Sequence, residues 1–263
     1  MSATGRVMMA DVPTADPTTL LLLALAGVLT GIVGYAAGLA SLVSFPALLA
    51  AGLPPLTANL TNTVALIGTT LGGVGAARRE LVAVLRHLVP YGLLAVVGGA
   101  AGAALLLIAP PTVFEKVVPW LVLLGSVVLL ASPWLRRVQA GRITYRHPGV
   151  TITIGLVCVY GGYFGAGAGV LVLAVLSAVL EHTLAELTAL RTFLLGCANL
   201  VAAVIFAVTG GVAWPQAISL GLGAIAGAAM GPSIMRRVPE RPARIVVAIA
   251  GIGLAVKLFL DYY

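Results

Sequence analysis

GVLTGIVGYAAGLASLVSFPALLAAG, residues Gly27–Gly52, is apolar enough for lipid yet is interrupted by glycine, serine and proline. No charged residue occurs from Pro17 through Ala77. A bilayer core takes about 20 helical residues per crossing. A continuous helix over Leu20–Gly52 would be about 50 Å long, too long for one upright crossing, and two full crossings need roughly 40 residues. The stretch therefore predicts two short helices meeting near Gly34–Ser44. A second stretch of the same kind, GLVCVYGGYFGAGAGVLVLAVLSAVL, runs from Gly155 to Leu180. Helices broken at matching places in two halves are a pointer to a ligand site between them.

Composition places the chain in a membrane. Of 263 residues 60% are hydrophobic and 9% charged, with a mean hydropathy of +1.12, whereas soluble domains carry about 25% charged residues. The net charge of +7 comes from arginines between apolar segments; no basic, aromatic-interleaved stretch suggests nucleic acid. Cys158 and Cys197 match no CxxC or metal spacing and read as small packing residues. Residues 1–18 form a polar tail without the basic start and cleavage site of a signal peptide.

Ten apolar segments follow, at about Leu20–Tyr35, Gly38–Gly52, Thr57–Ala77, Leu88–Ala109, Val113–Ala131, Gly149–Phe164, Gly167–Leu180, Leu187–Val208, Trp214–Met235 and Ala243–Leu260. Shifting the chain by 128 positions superimposes Gly27 on Gly155, Gly34 on Gly162, Tyr35 on Tyr163, Gly68 on Gly196, Gly99 on Gly227 and Pro111 on Pro239. The expected organisation is a tail over 1–18, a membrane repeat over 19–135, a basic cytoplasmic linker over 136–148 and a second repeat over 149–263. Short basic connections stay in the cytoplasm; here they are Arg78–His87, Arg136–His147 and Arg236–Arg244. If each broken pair contributes an even number of crossings, all three lie inside and the repeats are inverted. Both termini are then outside. The fold class is an all-α integral membrane protein of about 8–10 segments, half-helices included.

Candidate ligand contacts cluster at the breaks. If the second short helices start near Ser41 and Gly169, their unpaired N–H groups favour an anion. Ser41 and Ser44 could add hydroxyl donors, and Gly165, Gly167 and Gly169 would admit a ligand to the backbone; close helix packing is the other use of such small residues. Arg191 is the charged residue clearly inside an apolar segment, a costly placement. It contacts an anion, snorkels toward the membrane surface, or pairs with Glu186 or Glu181. Thr192 and Asn199 offer donors on the same helix. In the first half TANLTNT supplies Asn59, Asn62 and Thr63, with Thr57 or Asn59 alternatively capping that helix. Tyr35 and Tyr163 stand beside the breaks, as ligand contacts or interfacial side chains. Trp120, Trp134 and Trp214 read as interface anchors, and His87, His147 and His182 carry no metal spacing. No HExxH, paired carboxylates or nucleotide motif points to an enzyme.

At these residues the chain resembles the sulfite exporter TauE/SafE family, also called four-toluene sulfonate uptake permeases, over about residues 20–260. The first half carries Gly34-Tyr-Ala-Ala-Gly38, Phe45-Pro46-Ala47-Leu48, Gly52-Leu53-Pro54-Pro55 and Ala58-Asn59. The second carries Gly165-Ala-Gly-Ala-Gly169 and Gly210-Gly211-Val212-Ala213-Trp214. It departs from the family pattern at Leu39-Ala40-Ser41, where a triple glycine is usual, and at Ala174, where a proline is. The resemblance implies a carrier of sulfite, sulfoacetate or other organosulfonates in the cell membrane. The sequence thus predicts a secondary transporter or facilitator, with a small anion and the lipid bilayer as its partners, no cofactor and no metal. A homodimer is an admissible assembly. A carrier of another carboxylate or inorganic anion, and a non-transporting scaffold subunit, are the alternatives.

Overall fold

The computed structural model describes residues 16–135, 147–235 and 240–263. The polar tail to residue 15, most of the basic linker (136–146) and residues 236–239 of the third basic connection lie outside them. Among the described residues every element is an α-helix: α1 Pro17–Ala37, α2 Ala40–Ala50, α3 Pro55–Ala76, α4 Arg78–Ala83, α5 Leu85–Ile108, α6 Pro111–Leu135, α7 Pro148–Tyr163, α8 Ala168–Val179, α9 Leu184–Thr209, α10 Trp214–Met235 and α11 Glu240–Tyr262. Six of them contain stretches long and apolar enough to cross a membrane, which makes this a multi-pass protein of the cell membrane.

All ten expected segments are helices, and both breaks fall where glycine was expected to place them. Helix α1 starts on Asp16, whose carboxylate accepts from the Thr19 N–H at 2.9 Å, with Pro17 in the first turn. It stops at Gly38, which takes the left-handed conformation (φ +76) and donates its N–H to Gly34 O. After Leu39 the chain re-enters a helix for 11 residues in α2, about 16 Å at 1.5 Å per residue and so roughly half of a 30 Å hydrocarbon core. In the second half α7 ends at Tyr163, Gly165 and Gly167 both take positive φ, and α8 runs for 12 residues. One expectation is corrected here. The helix before the first break is not short: α1 has 21 residues against 16 in α7.

A second difference lies at Arg78–His87, expected as a connecting loop. Residues 78–83 form the short helix α4, with Glu80 in its first turn. Arg78 Nε donates to Gly75 O at 3.2 Å, so the first residue of α4 satisfies a terminal carbonyl of α3. Trp120, read as an anchor, lies well inside α6, where it packs edge-on against Phe259 of α11 with centroids 4.9 Å apart.

The halves are interlocked. Helix α10 packs along α1 and α3 of the first half, while α5 packs along α7 and α9 of the second. Helices α3 and α9 meet each other, and α6 pairs with α11. Glycine makes the closest crossings: a Cβ on Gly27 would lie 2.1 Å from Leu220 O, and one on Gly102 would lie 2.0 Å from Val159 O. Small residues let backbones approach where lipid supplies no hydrophobic drive for association. The central helix α3 is buried on all sides from Pro55 to Thr63. Asn59, Asn62 and Thr63 of this stretch therefore bond to partners inside the protein, as a water-free surrounding demands.

Candidate anion site

Both breaks and both central helices converge on one cavity. Its walls are Gly34, Gly38, Ala40 and Ser41 from the first break, Gly161, Gly165 and Ala168 from the second, Leu66, Thr69 and Thr70 from α3, and Arg191, Thr192, Leu195 and Asn199 from α9. It offers about 60 Å³ to water-sized molecules; one water needs about 10–15 Å³ by this measure. The space therefore suits an ion of a few heavy atoms or the head group of a larger one.

Arg191 is the formally charged member of this lining, and it is only 1% exposed. Its Nη2 donates to Gly34 O at 3.2 Å and to Tyr35 O at 2.5 Å. The break leaves Tyr35 O without a backbone donor, while Gly34 O also accepts the Gly38 N–H, and both carbonyls stand at the negative end of the helix dipole. A buried cation answers both needs. A Cβ on Gly38 would stand 3.0 Å from Nη1, so glycine gives the guanidinium its place at the break. The carboxylate of Glu186 is engaged elsewhere. It accepts from Thr183 N at 2.8 Å in the capping box of α9 and lies 3.3 Å from His182 Nδ1.

The second break receives the reciprocal contact. Asn59 Nδ2, from α3 in the first half, donates to Tyr163 O at 2.8 Å. Tyr160 closes the same turn from within, its hydroxyl donating to Ala166 O at 2.6 Å. Each break is thus capped by a side chain from the central helix of the opposite half. The two breaks also touch, since a Cβ on Gly169 would lie 2.6 Å from the Cα of Gly38.

Of the thirteen residues singled out in the sequence, Ser41, Gly165, Arg191, Thr192 and Asn199 line the cavity. Asn62 and Ser44 stand behind Ser41: Asn62 Nδ2 donates to Ser41 Oγ at 3.3 Å, and Asn62 Oδ1 accepts from Ser44 Oγ. Thr63 turns its hydroxyl back to Asn59 O at 3.0 Å. Asn59 and Tyr35 act on the breaks rather than on the cavity wall. The Tyr35 ring packs against Gly73 and Gly231, and the Tyr163 ring lies 6.0 Å from Phe114. Gly167 caps α8 and faces Gly125 of α6, and Gly169 faces Gly38. The sequence reading did not single out Gly161, Thr69, Thr70 or Tyr160. The signal available for Thr69 and Thr70 was two adjacent hydroxyls inside a glycine-rich apolar helix.

A broken-helix membrane bundle around a small cavity lined by a buried cation defines a transporter. The family profile described as sulfite exporter TauE/SafE matches residues 22–258, and the chain belongs to that family. A probable membrane transporter protein, YfcA, of Escherichia coli K12 is 27% identical over 94% of this chain and 91% of its own. A probable membrane transporter protein, ORF9, of a Sinorhizobium species is 29% identical over 90% of each chain. A probable membrane transporter protein of Haemophilus influenzae is 25% identical over 89% of this chain and 92% of its own.

Proposed function

We propose that this transporter moves a small sulfur-containing anion, sulfite or an organosulfonate such as sulfoacetate, held in the cavity between the two breaks. One observation carries the reading: among the described residues the cavity lining has a buried arginine and no carboxylate. The first residues of α2 and α8 (Ala40, Ser41 and Ala168) join it there. Helix N-termini and a guanidinium both favour an oxyanion, the guanidinium through planar paired donors. Ser41, Asn199 and the backbone beside Gly165 complete the contact set, and Thr192, whose hydroxyl donates to Thr188 O, lines the wall beside them. Asn59, Asn62, Ser44, Thr63, Tyr35, Tyr163, Gly167 and Gly169 hold that set in place.

We also place the two halves inverted in the bilayer, with basic connections in the cytoplasm. A reporter fused after Tyr263 should then report the outside and one within Gly141–Arg146 the cytoplasm. A cytoplasmic C-terminus overturns the inversion.

Purified protein in liposomes tests the transport role. Sulfite and sulfoacetate should be taken up in preference to acetate and chloride. Arg191→Lys should weaken apparent affinity at least about tenfold, roughly 1.4 kcal/mol, because a lysine ammonium cannot reproduce the planar donor pair. Preferential movement of acetate or chloride would make this a carrier of another anion class. No flux of any of them would leave a membrane subunit with a scaffolding role.

A further inference from the structure

We propose that the Thr69 hydroxyl is a ligand donor of the cavity and sets its affinity for oxyanions. The inference rests on the transport role proposed above and adds a contact that no sequence pattern assigned. Buried hydroxyls within helices ordinarily bond to a carbonyl one turn back. Thr70 does so to Leu66 O at 3.4 Å, and Thr192 to Thr188 O at 2.8 Å. Thr69, beside them in the same wall, does not. It is 8% exposed, and its Oγ1 has no hydrogen-bond partner. Leaving a buried donor unmade is unfavourable, and the deficit is offset when a ligand takes the proton.

Position separates Thr69 from other such groups. Thr30 and Ser132 also bury unpartnered hydroxyls, but neither lines the cavity. The Thr69 methyl faces Gly34, where a Cβ would stand 3.1 Å from Cγ2. Both substituents on its Cβ therefore have a use: the methyl packs on the first break, and the hydroxyl remains for the cavity. The neighbouring hydroxyls of Thr70 and Thr192 hold their protons on backbone carbonyls, so Thr69 supplies a donor they do not. A hydroxyl donating to an anionic oxygen makes a short, charge-assisted bond. A valine of the same shape makes none.

Sulfite flux and melting temperature, measured for the full protein in liposomes and in detergent, test this. Thr69→Val should raise the KM for sulfite about tenfold, equivalent to about 1.4 kcal/mol, while the maximal rate and melting temperature stay within error. Thr69→Ser should keep the KM within about twofold. An unchanged KM in Thr69→Val overturns the proposal. So does a Thr69→Ser variant as impaired as Thr69→Val, which would assign the effect to the methyl against Gly34. If Thr69→Val does not accumulate, Thr69→Ala removes the same hydroxyl without added bulk and is judged by the same KM criterion. Absence of flux in the unaltered protein defeats the transport role itself; normal flux with an indifferent Thr69→Val defeats only this inference.

Discussion

The two helix breaks solve one problem with different chemistry. In the first, a single left-handed glycine, Gly38, turns the chain within two residues, and the carbonyls of Gly34 and Tyr35 accept from a cation, Arg191. In the second, Gly165 and Gly167 spread the turn over four residues, and neutral donors serve it: Asn59 on Tyr163 O and Tyr160 on Ala166 O. Both central caps cross between halves, from α9 to the first break and from α3 to the second. The difference teaches where charge is concentrated. The first break carries the positive group of the cavity, while the second supplies a neutral, glycine-rich wall.

The largest effect should follow from separating the breaks where they touch. Gly38→Val meets the Gly169 backbone at 2.8 Å and must hold φ near +76. Left-handed strain of roughly 1–2 kcal/mol adds to overpacking of roughly 1–3 kcal/mol. Little folded protein should survive size-exclusion chromatography; a well-behaved, active variant would show the breaks to be loosely coupled. Arg191→Ala comes next. It leaves Tyr35 O without its donor, at about 1–3 kcal/mol, while Gly34 O keeps the Gly38 N–H, and it should abolish flux. Hydrogen exchange should rise around Gly34–Ala40 and stay unchanged around Tyr163–Ala168. Equal rises at both breaks would mean that Arg191 supports the bundle at large and not one break.

Asn59→Ala should act on the other side. Tyr163 O loses its donor, but the unpartnered Asn59 Oδ1 disappears with it, so the net cost should be nearer about 1 kcal/mol. Exchange should now rise at the second break alone, and sulfite affinity should change less than in Arg191→Ala. A larger affinity loss than in Arg191→Ala would reverse the assignment of charge to the first break. The smallest effect is expected of Tyr160→Phe. Ala166 O loses one neutral donor and no charged group, so a loss of about 1 kcal/mol is expected by thermal melting. A collapse of the fold in this variant would place the weight of the second break on Tyr160 instead of Asn59.

Much of this architecture was legible in the residue order. Helices at membrane length follow from long uncharged apolar runs, because only internally bonded backbone is stable in lipid. The breaks followed from glycine, which alone takes positive φ without strain: Gly38, Gly165 and Gly167 do so. The unusual cost of a charge in a span singled out Arg191, which is buried in the cavity wall. Less was legible for α4, because Arg78-Arg79-Glu80 reads equally as a charged loop or as a turn of helix. The site list mixed two populations for a similar reason. Asn59 and Tyr35 stand beside the cavity residues in sequence, yet the direction of each side chain depends on helix rotation.

Sequence alone determined the membrane class, the ten helical segments and the two glycine breaks, since each follows from local composition and backbone freedom. Tertiary structure decided which half caps which break. Arg191 lies 157 positions from Gly34, and Asn59 lies 104 from Tyr163; no local pattern joins them. Glycine crossings such as Gly27 on Leu220 and Gly102 on Val159 set the distances between helices. Those distances fix the cavity and leave Thr69, but not Thr70, with a proton to give.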